Sequence, residues 1–148
     1  MEDRFEYLGS EQLRKHPIVF FDGVCNLCNR SVDFVLRVDR RRVFRFASLQ
    51  GETARLAESR LPVREPDAGS WSMVLLDDSG CYERSEAALR VMKKLGGGAG
   101  FLGCLGLCVP KFLRDGVYRI IARKRYDWFG RKESCRLPSL EEQAVFLP

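Results

Sequence analysis

Four consecutive apolar residues, Ile18-Val19-Phe20-Phe21, run straight into Asp22-Gly23 and then into Cys25-Asn26-Leu27-Cys28. A short apolar run without alternation, closed by a turn pair, reads as a strand buried on both faces. From Cys28 the spacing becomes helical: Cys28, Val32, Val35 and Leu36 share one face, with Phe34 and Val38 on another. A helix this apolar is expected to be covered on more than one side. Arg40-Arg41-Arg42 fits its C-terminal end, where cations suit the helix dipole. Val43 to Ala47 reads as a second strand. Strand, helix and strand in about thirty residues make a βαβ unit, so the two strands should run parallel.

Beyond this unit the pattern continues as helix, hairpin, helix. Glu52 to Arg60 is a short amphipathic helix stopped by Pro62, and 61–70 is a loop. Met73 to Leu76 and Cys81 to Arg84 flank the turn Asp77-Asp78-Ser79-Gly80 and form an antiparallel hairpin. Ser85 is placed as the N-cap of a helix that runs to Leu95 and stops at Gly96. Residues 96–100, Gly-Gly-Gly-Ala-Gly, read as a hinge between a core (17–95) and a helical extension (96–148) of one domain. Pro110 opens a long helix through Val117, Ile120 and Ile121, which Arg123, Lys124 and Arg125 follow at its end. Residues 125–135 then form an aromatic and basic tail. Residues 1–16 are a polar lead-in with a weak helical look from Ser10 to Lys15.

Composition narrows the function classes. The 148 residues carry 25 basic and 20 acidic side chains, a net charge of +5, spread along the chain except at residues 40–42. Neither a recognition motif nor a basic face interleaved with aromatics points to nucleic acid. The first seventeen residues lack the apolar core of an export signal, and the longest apolar run, 101–109, is too short to span a bilayer. A cytoplasmic protein without membrane insertion is expected, in a compartment where thiols stay reduced.

The six cysteines lie at 25, 28, 81, 104, 108 and 135. A structural zinc site needs about four ligands. The lone His16 and the dissimilar pair Cys104/Cys108 do not supply them, so no metal is expected. At i,i+4 in a helix, Cβ atoms stand roughly 5–6 Å apart, whereas a disulfide wants nearer 3.8 Å. Cys104 and Cys108 are therefore expected to be core residues of an apolar helix, and Cys81 to be structural. Cys25 and Cys28 differ in position. They sit where a buried strand turns into a helix, and the free N–H groups and dipole there favour an anion. A thiolate at such a place has a lowered pKa and is the attacking form. Cys25 precedes the helix and is expected to be accessible, with Cys28 facing inward. Two packed thiols without function and half of a metal site are the competing interpretations. A Cys-x-x-Cys beside a βαβ unit favours a redox pair.

The chain resembles the DCC family of predicted thiol–disulfide oxidoreductases, named for an aspartate followed by two cysteines. Asp22, Cys25 and Cys28 match that motif in FDGVCNLC. The likeness continues in FRFASLQ, in ERSEAALRVMKKLGG, in VPKFLRDGVYRIIARKRYDWFGRK and in Cys135, from Ile18 to Pro138. The resemblance implies an α/β fold: a thioredoxin-like four-stranded mixed sheet with flanking helices and a C-terminal helical extension. It implies exchange with a thiol or disulfide substrate and no cofactor. Cys25 is then the attacking thiol and Cys28 the resolving one. Asp22 either ties the turn or takes the proton of Cys28. The cis-proline usual in thioredoxins has no counterpart before Met73, so Trp71 and Ser72 are expected to line the cleft in its place. Ser85, at a helix start, is a candidate for holding a substrate carboxylate, although Glu86 beside it would repel one. Arg131 and Lys132 are candidates for lowering the pKa of Cys25, and Cys135 for a third redox thiol. A binding module that keeps the cysteine pair without turnover is the alternative function.

Overall fold

The computed structural model describes residues 6–62 and 73–148. β1 (Ile18–Phe21) is buried along its whole length, and its side chains alternate between two cores. Val19 and Phe21 meet Val32 and Val35 of α2 (Asn26–Val38) and Ala87 and Val91 of α4 (Arg84–Leu95). Ile18 and Phe20 face Leu13 of α1 (Ser10–Lys15) and Ala54 of α3 (Glu52–Leu56). The lead-in is therefore not loose after Glu6: Leu8 and Leu13 close the second core.

β1 pairs in parallel with β2 (Arg45–Ser48) and antiparallel with β3 (Val74–Asp77). β3 forms the expected hairpin with β4 (Gly80–Glu83). Among the described residues the sheet has five strands rather than four, in the order β4-β3-β1-β2-β5. The extra strand, β5 (Phe146–Leu147), returns from the C-terminus to lie parallel to β2. β2 begins later than its sequence pattern suggests, because Asp39 takes the N–H groups of Val43 and Phe44, at 3.1 and 3.0 Å.

The helices depart from expectation in informative ways. α2 is buried on one face only, and Phe34 and Val38 stand exposed. The α4 N-cap is Glu83, not Ser85. The Ser85 hydroxyl is turned inward and donates to the buried carboxylate of Asp115. The glycine-rich stretch is no hinge. Gly96, at φ 73°, stops α4, and α5 (Gly97–Cys108) starts at once. The glycines of α5 let two backbones touch: a Cβ on Gly103 would stand 2.7 Å from both the Leu89 carbonyl oxygen and the Lys93 nitrogen of α4. With glycine turned inward, Cys104 and Cys108 are exposed rather than core residues.

α6 (Lys111–Phe129) does not end at the basic triplet but runs on to Gly130, whose φ is 84°. Arg125, the last residue of that triplet, lies in the interior, where it is 2% exposed. The chain after α6 crosses back over the start of α2. The N–H of Lys132 donates to the Val24 carbonyl at 2.7 Å, and that of Arg136 to Gly23 at 3.0 Å. Arg136 pairs with Asp33 of α2 and, at 2.8 Å, with Glu142, which fixes the returning segment. No helix among the described residues is long and apolar enough to cross a membrane.

Candidate active site

The turn after β1 builds the site. Cys25 is the N-cap of α2, at φ −83° and ψ 121°, and its Sγ accepts the N–H of Cys28 at 3.4 Å. A sulfur thus occupies the place where a serine or aspartate oxygen ordinarily caps a helix. Both cysteines are unbonded thiols.

The two thiols are driven apart electrostatically. The Cys25 thiol is lowered to about 6, first by the hydrogen bond from the Cys28 side chain. Burial opposes this, while the N–H groups of Cys28 and Leu27 and the charge on Arg125 assist it. Cys28 is pushed well above the usual thiol range, first by donating to Cys25 and then by burial. The charges of Cys25 and Asp22 add to that, and Arg125 works against it. The helix N-terminus therefore acts on Cys25 as expected, but the cation that assists is Arg125, not Arg131. The Arg131 guanidinium lies over the Tyr126 ring, 5.3 Å from its centroid.

Asp22, 1% exposed, is enclosed by four donors. Its Oδ1 accepts the Val24 N–H at 3.2 Å and the Gln50 side-chain amide at 2.8 Å. Its Oδ2 accepts Arg125 Nη2 at 3.0 Å and the hydroxyl of Tyr126. The bond to Val24 closes the turn, so the tying role of Asp22 is realised. The other three bonds join it to the C-terminal helix and to the end of β2. Arg125 also places Nη1 3.5 Å from the Sγ of Cys28, so one guanidinium spans the carboxylate and the thiol.

Access differs from expectation. Cys25 is 0% exposed and Cys28 8%. The segment after α6 lies across the turn. Cys25 and Arg131 form an antiparallel bridge, the Asn26 N–H donates to Gly130 at 3.3 Å, and the Asn26 amide donates to Phe129 at 2.8 Å. An unpaired turn would leave those N–H groups to solvent; here the tail takes them and covers the sulfur.

The remaining candidates divide. Trp71 and Ser72 lie outside the described residues. Ser85 is buried with its hydroxyl on Asp115. Cys135 stands beside Gly23, its Sγ 3.8 Å from both Ser48 Oγ and Gln50 Oε1, and so adjoins the Asp22 network. Among the described residues no group of three or more His, Cys, Asp or Glu side chains is arranged to hold a metal. Arg125, Tyr126 and Gln50 were not singled out by sequence reasoning. One signal for Arg125 was available: Asp115, Tyr118 and Arg125 recur at helical spacing along one face of the helix.

The arrangement suits sulfur exchange: one thiol poised as thiolate, one held protonated beside it, and a guanidinium that contacts the second thiol and pairs with a buried carboxylate. Comparison with known proteins agrees. The chain is 43% identical over 141 residues to the uncharacterised protein YuxK of Bacillus subtilis (strain 168), covering 94% of this chain and 98% of that one. It is 43% identical over 123 residues to the chloroplastic DCC family protein At1g52590 of Arabidopsis thaliana, covering 83% of this chain and 70% of the relative. No solved structure is significantly similar to it. A model of the DCC1-like thiol–disulfide oxidoreductases matches residues 19–131, and the chain belongs to that family.

Proposed function

We propose that the protein is an enzyme of thiol–disulfide exchange, with Cys25 as attacking thiolate and Cys28 as resolving thiol. The observation that carries this is the opposite displacement of the two thiols across a single helix cap, with Cys25 at about 6 and Cys28 held protonated. At neutral pH such a pair has one nucleophile ready and one in reserve.

In the reducing direction, the Cys25 thiolate attacks one sulfur of a substrate disulfide. A mixed disulfide forms and the other substrate sulfur leaves as a thiolate, which takes a proton from solvent. Formation of the bond removes the negative charge on Cys25, and with it a cause of the raised Cys28 pKa. Cys28 then gives up its proton to Asp22, directly or through one water. The resulting thiolate is stabilised by Arg125 and attacks the Cys25 sulfur. The mixed disulfide breaks, the substrate sulfur leaves and is protonated, and a Cys25–Cys28 disulfide remains. The substrate has gained two electrons and the protein has lost two. A second thiol couple returns the protein to the dithiol, and the same steps reversed oxidise a substrate dithiol. Asp22 thus serves as proton acceptor and as the anchor that aims Arg125.

The test is trapping with Cys28→Ser. This variant is expected to accumulate a mixed disulfide through Cys25 when mixed with a disulfide peptide, while the wild type passes on to an intramolecular Cys25–Cys28 bond, both read by mass spectrometry after proteolysis. A wild-type protein that never closes that bond under mild oxidation would leave the binding-module alternative in place.

A further inference from the structure

Helices α5 and α6 are turned inside out. α5 holds no charged residue and no hydrogen-bonding side chain except its thiols. It presents its glycines to α4 and leaves Phe101, Leu102 and Leu105 exposed, Phe101 at 66%. α6 does the same by another route. Its inward positions are polar: Asp115 receives Ser85, the Tyr118 hydroxyl accepts the Met73 N–H at 3.0 Å, and Arg125 enters the cysteine site. Its outward stripe, Leu113, Val117 and Ile120, is apolar and exposed, and so is Phe112 at its start, at 75%. A helix of a water-soluble protein is ordinarily patterned the other way. Large apolar side chains left exposed on two successive helices mark an interaction surface.

The charges around this face say what it meets. The exposed charged residues of α5 and α6 are Lys111, Arg119, Arg123 and Lys124, against Asp127 as the exposed acid; Asp115 is buried. Lys111 lies 3.7 Å from Glu86. A second copy laid face to face would set cationic rims together with almost no acid to answer them. A protein groove would want polar partners at the rim of α5, and α5 offers none. Large apolar side chains flanked by arginine and lysine, on helices not both long and apolar enough to cross, are what a helix lying in a membrane interface presents.

We propose that the α5–α6 face docks this protein on an anionic lipid bilayer. Phe101, Leu102, Leu105 and Phe112 enter the acyl boundary, and Arg119, Arg123 and Lys124 reach the headgroups by extending their stems along the apolar face. The protein then works against thiols or disulfides held at a membrane surface.

Flotation of the full chain with vesicles tests this. Wild type is expected to float with phosphatidylcholine vesicles containing phosphatidylglycerol, to stay down with phosphatidylcholine alone, and to be released by salt. Phe101→Ser combined with Leu105→Ser should weaken binding by about tenfold or more, and Arg123→Glu with Lys124→Glu by about tenfold. These four side chains are exposed, so circular dichroism and thiolate absorbance of Cys25 should be unchanged. Failure to float with either vesicle overturns the proposal, as does equal binding to both. A wild-type dimer that the serine pair dissolves, with no flotation, would assign the face to a second copy instead.

Discussion

The depressed Cys25 thiol has a cause that one substitution isolates. Its largest source is the hydrogen bond donated by the Cys28 side chain, ahead of the backbone N–H groups and Arg125. A hydrogen bond to a charged group is worth about 1.5–3 kcal/mol, or about one to two pKa units at 1.36 kcal/mol per unit. Cys28→Ala removes that donor and keeps the backbone N–H, the helix end and Arg125. Cys25 should then move from about 6 to about 7–8. Cys28→Ser keeps a hydroxyl donor in the same place and should hold Cys25 within about half a unit of the wild type. At pH 7 the thiolate fraction would fall from about nine-tenths in the wild type to between about half and a tenth in the alanine variant. The assay is titration of the ultraviolet thiolate absorbance, with Cys25→Ser subtracted, which does not need a reagent to reach the covered sulfur. If the alanine variant titrates with the wild type, or if serine and alanine shift equally, the side-chain donor is not the cause.

Three further outcomes test other parts of the structure. Arg125→Met should cost about 3–5 kcal/mol in urea unfolding, because Asp22 is left buried without its cation. Adding Asp22→Asn should recover a large part of that loss, and additive losses would refute the coupling. Gly103→Ala should cost about 1–3 kcal/mol, since its Cβ meets α4 backbone, whereas Gly98→Ala, which meets nothing within 4 Å, should be neutral or mildly stabilising. The reduced protein should gain stability as pH rises from about 6 to the ordinary thiol value of about 8.5, because there the unfolded chain still holds the Cys25 proton that the folded one has lost. Above that value the sign reverses, since unfolded Cys28 ionises while folded Cys28 keeps its proton. The rising limb is on the order of 3 kcal/mol; unfolding midpoints across this range should show it in the wild type and lack it in Cys25→Ser.

The strand-to-helix turn was legible in the sequence because its signals are local. Four buried residues, a turn pair and a change of period lie within about twenty residues, and β1, α2 and the hairpin stand within a residue or two of their expected places. What escaped depends on distance along the chain or on packing of small residues. Arg125 meets Asp22 from 103 positions away, and no local pattern signals that pairing. The tail over Cys25 is held by backbone bonds that any residue type can make. β5 has two residues and leaves no periodicity to read. Four glycines with one alanine among them resemble a flexible joint until a neighbouring backbone is seen to need the space that side chains would fill.

The outward apolar face and the buried site have one origin. For Arg125 to reach Asp22 and Cys28, and for Asp115 and Tyr118 to take the Ser85 hydroxyl and the Met73 N–H, α6 must turn its polar stripe toward the sheet. Residues half a turn away then face outward, and on this helix those are Leu113, Val117 and Ile120. Exchanging them for polar residues would leave every inward contact intact, so the site does not require them to be apolar. Nor does the helix, since leucine, valine and isoleucine have no advantage in helix propensity over lysine, glutamine or glutamate at exposed positions. The inward polar stripe explains why this face points outward; it does not explain why the face is apolar. An apolar surface to rest on supplies that reason, and the helix that the membrane would hold is the one that brings Arg125 to the Cys28 sulfur.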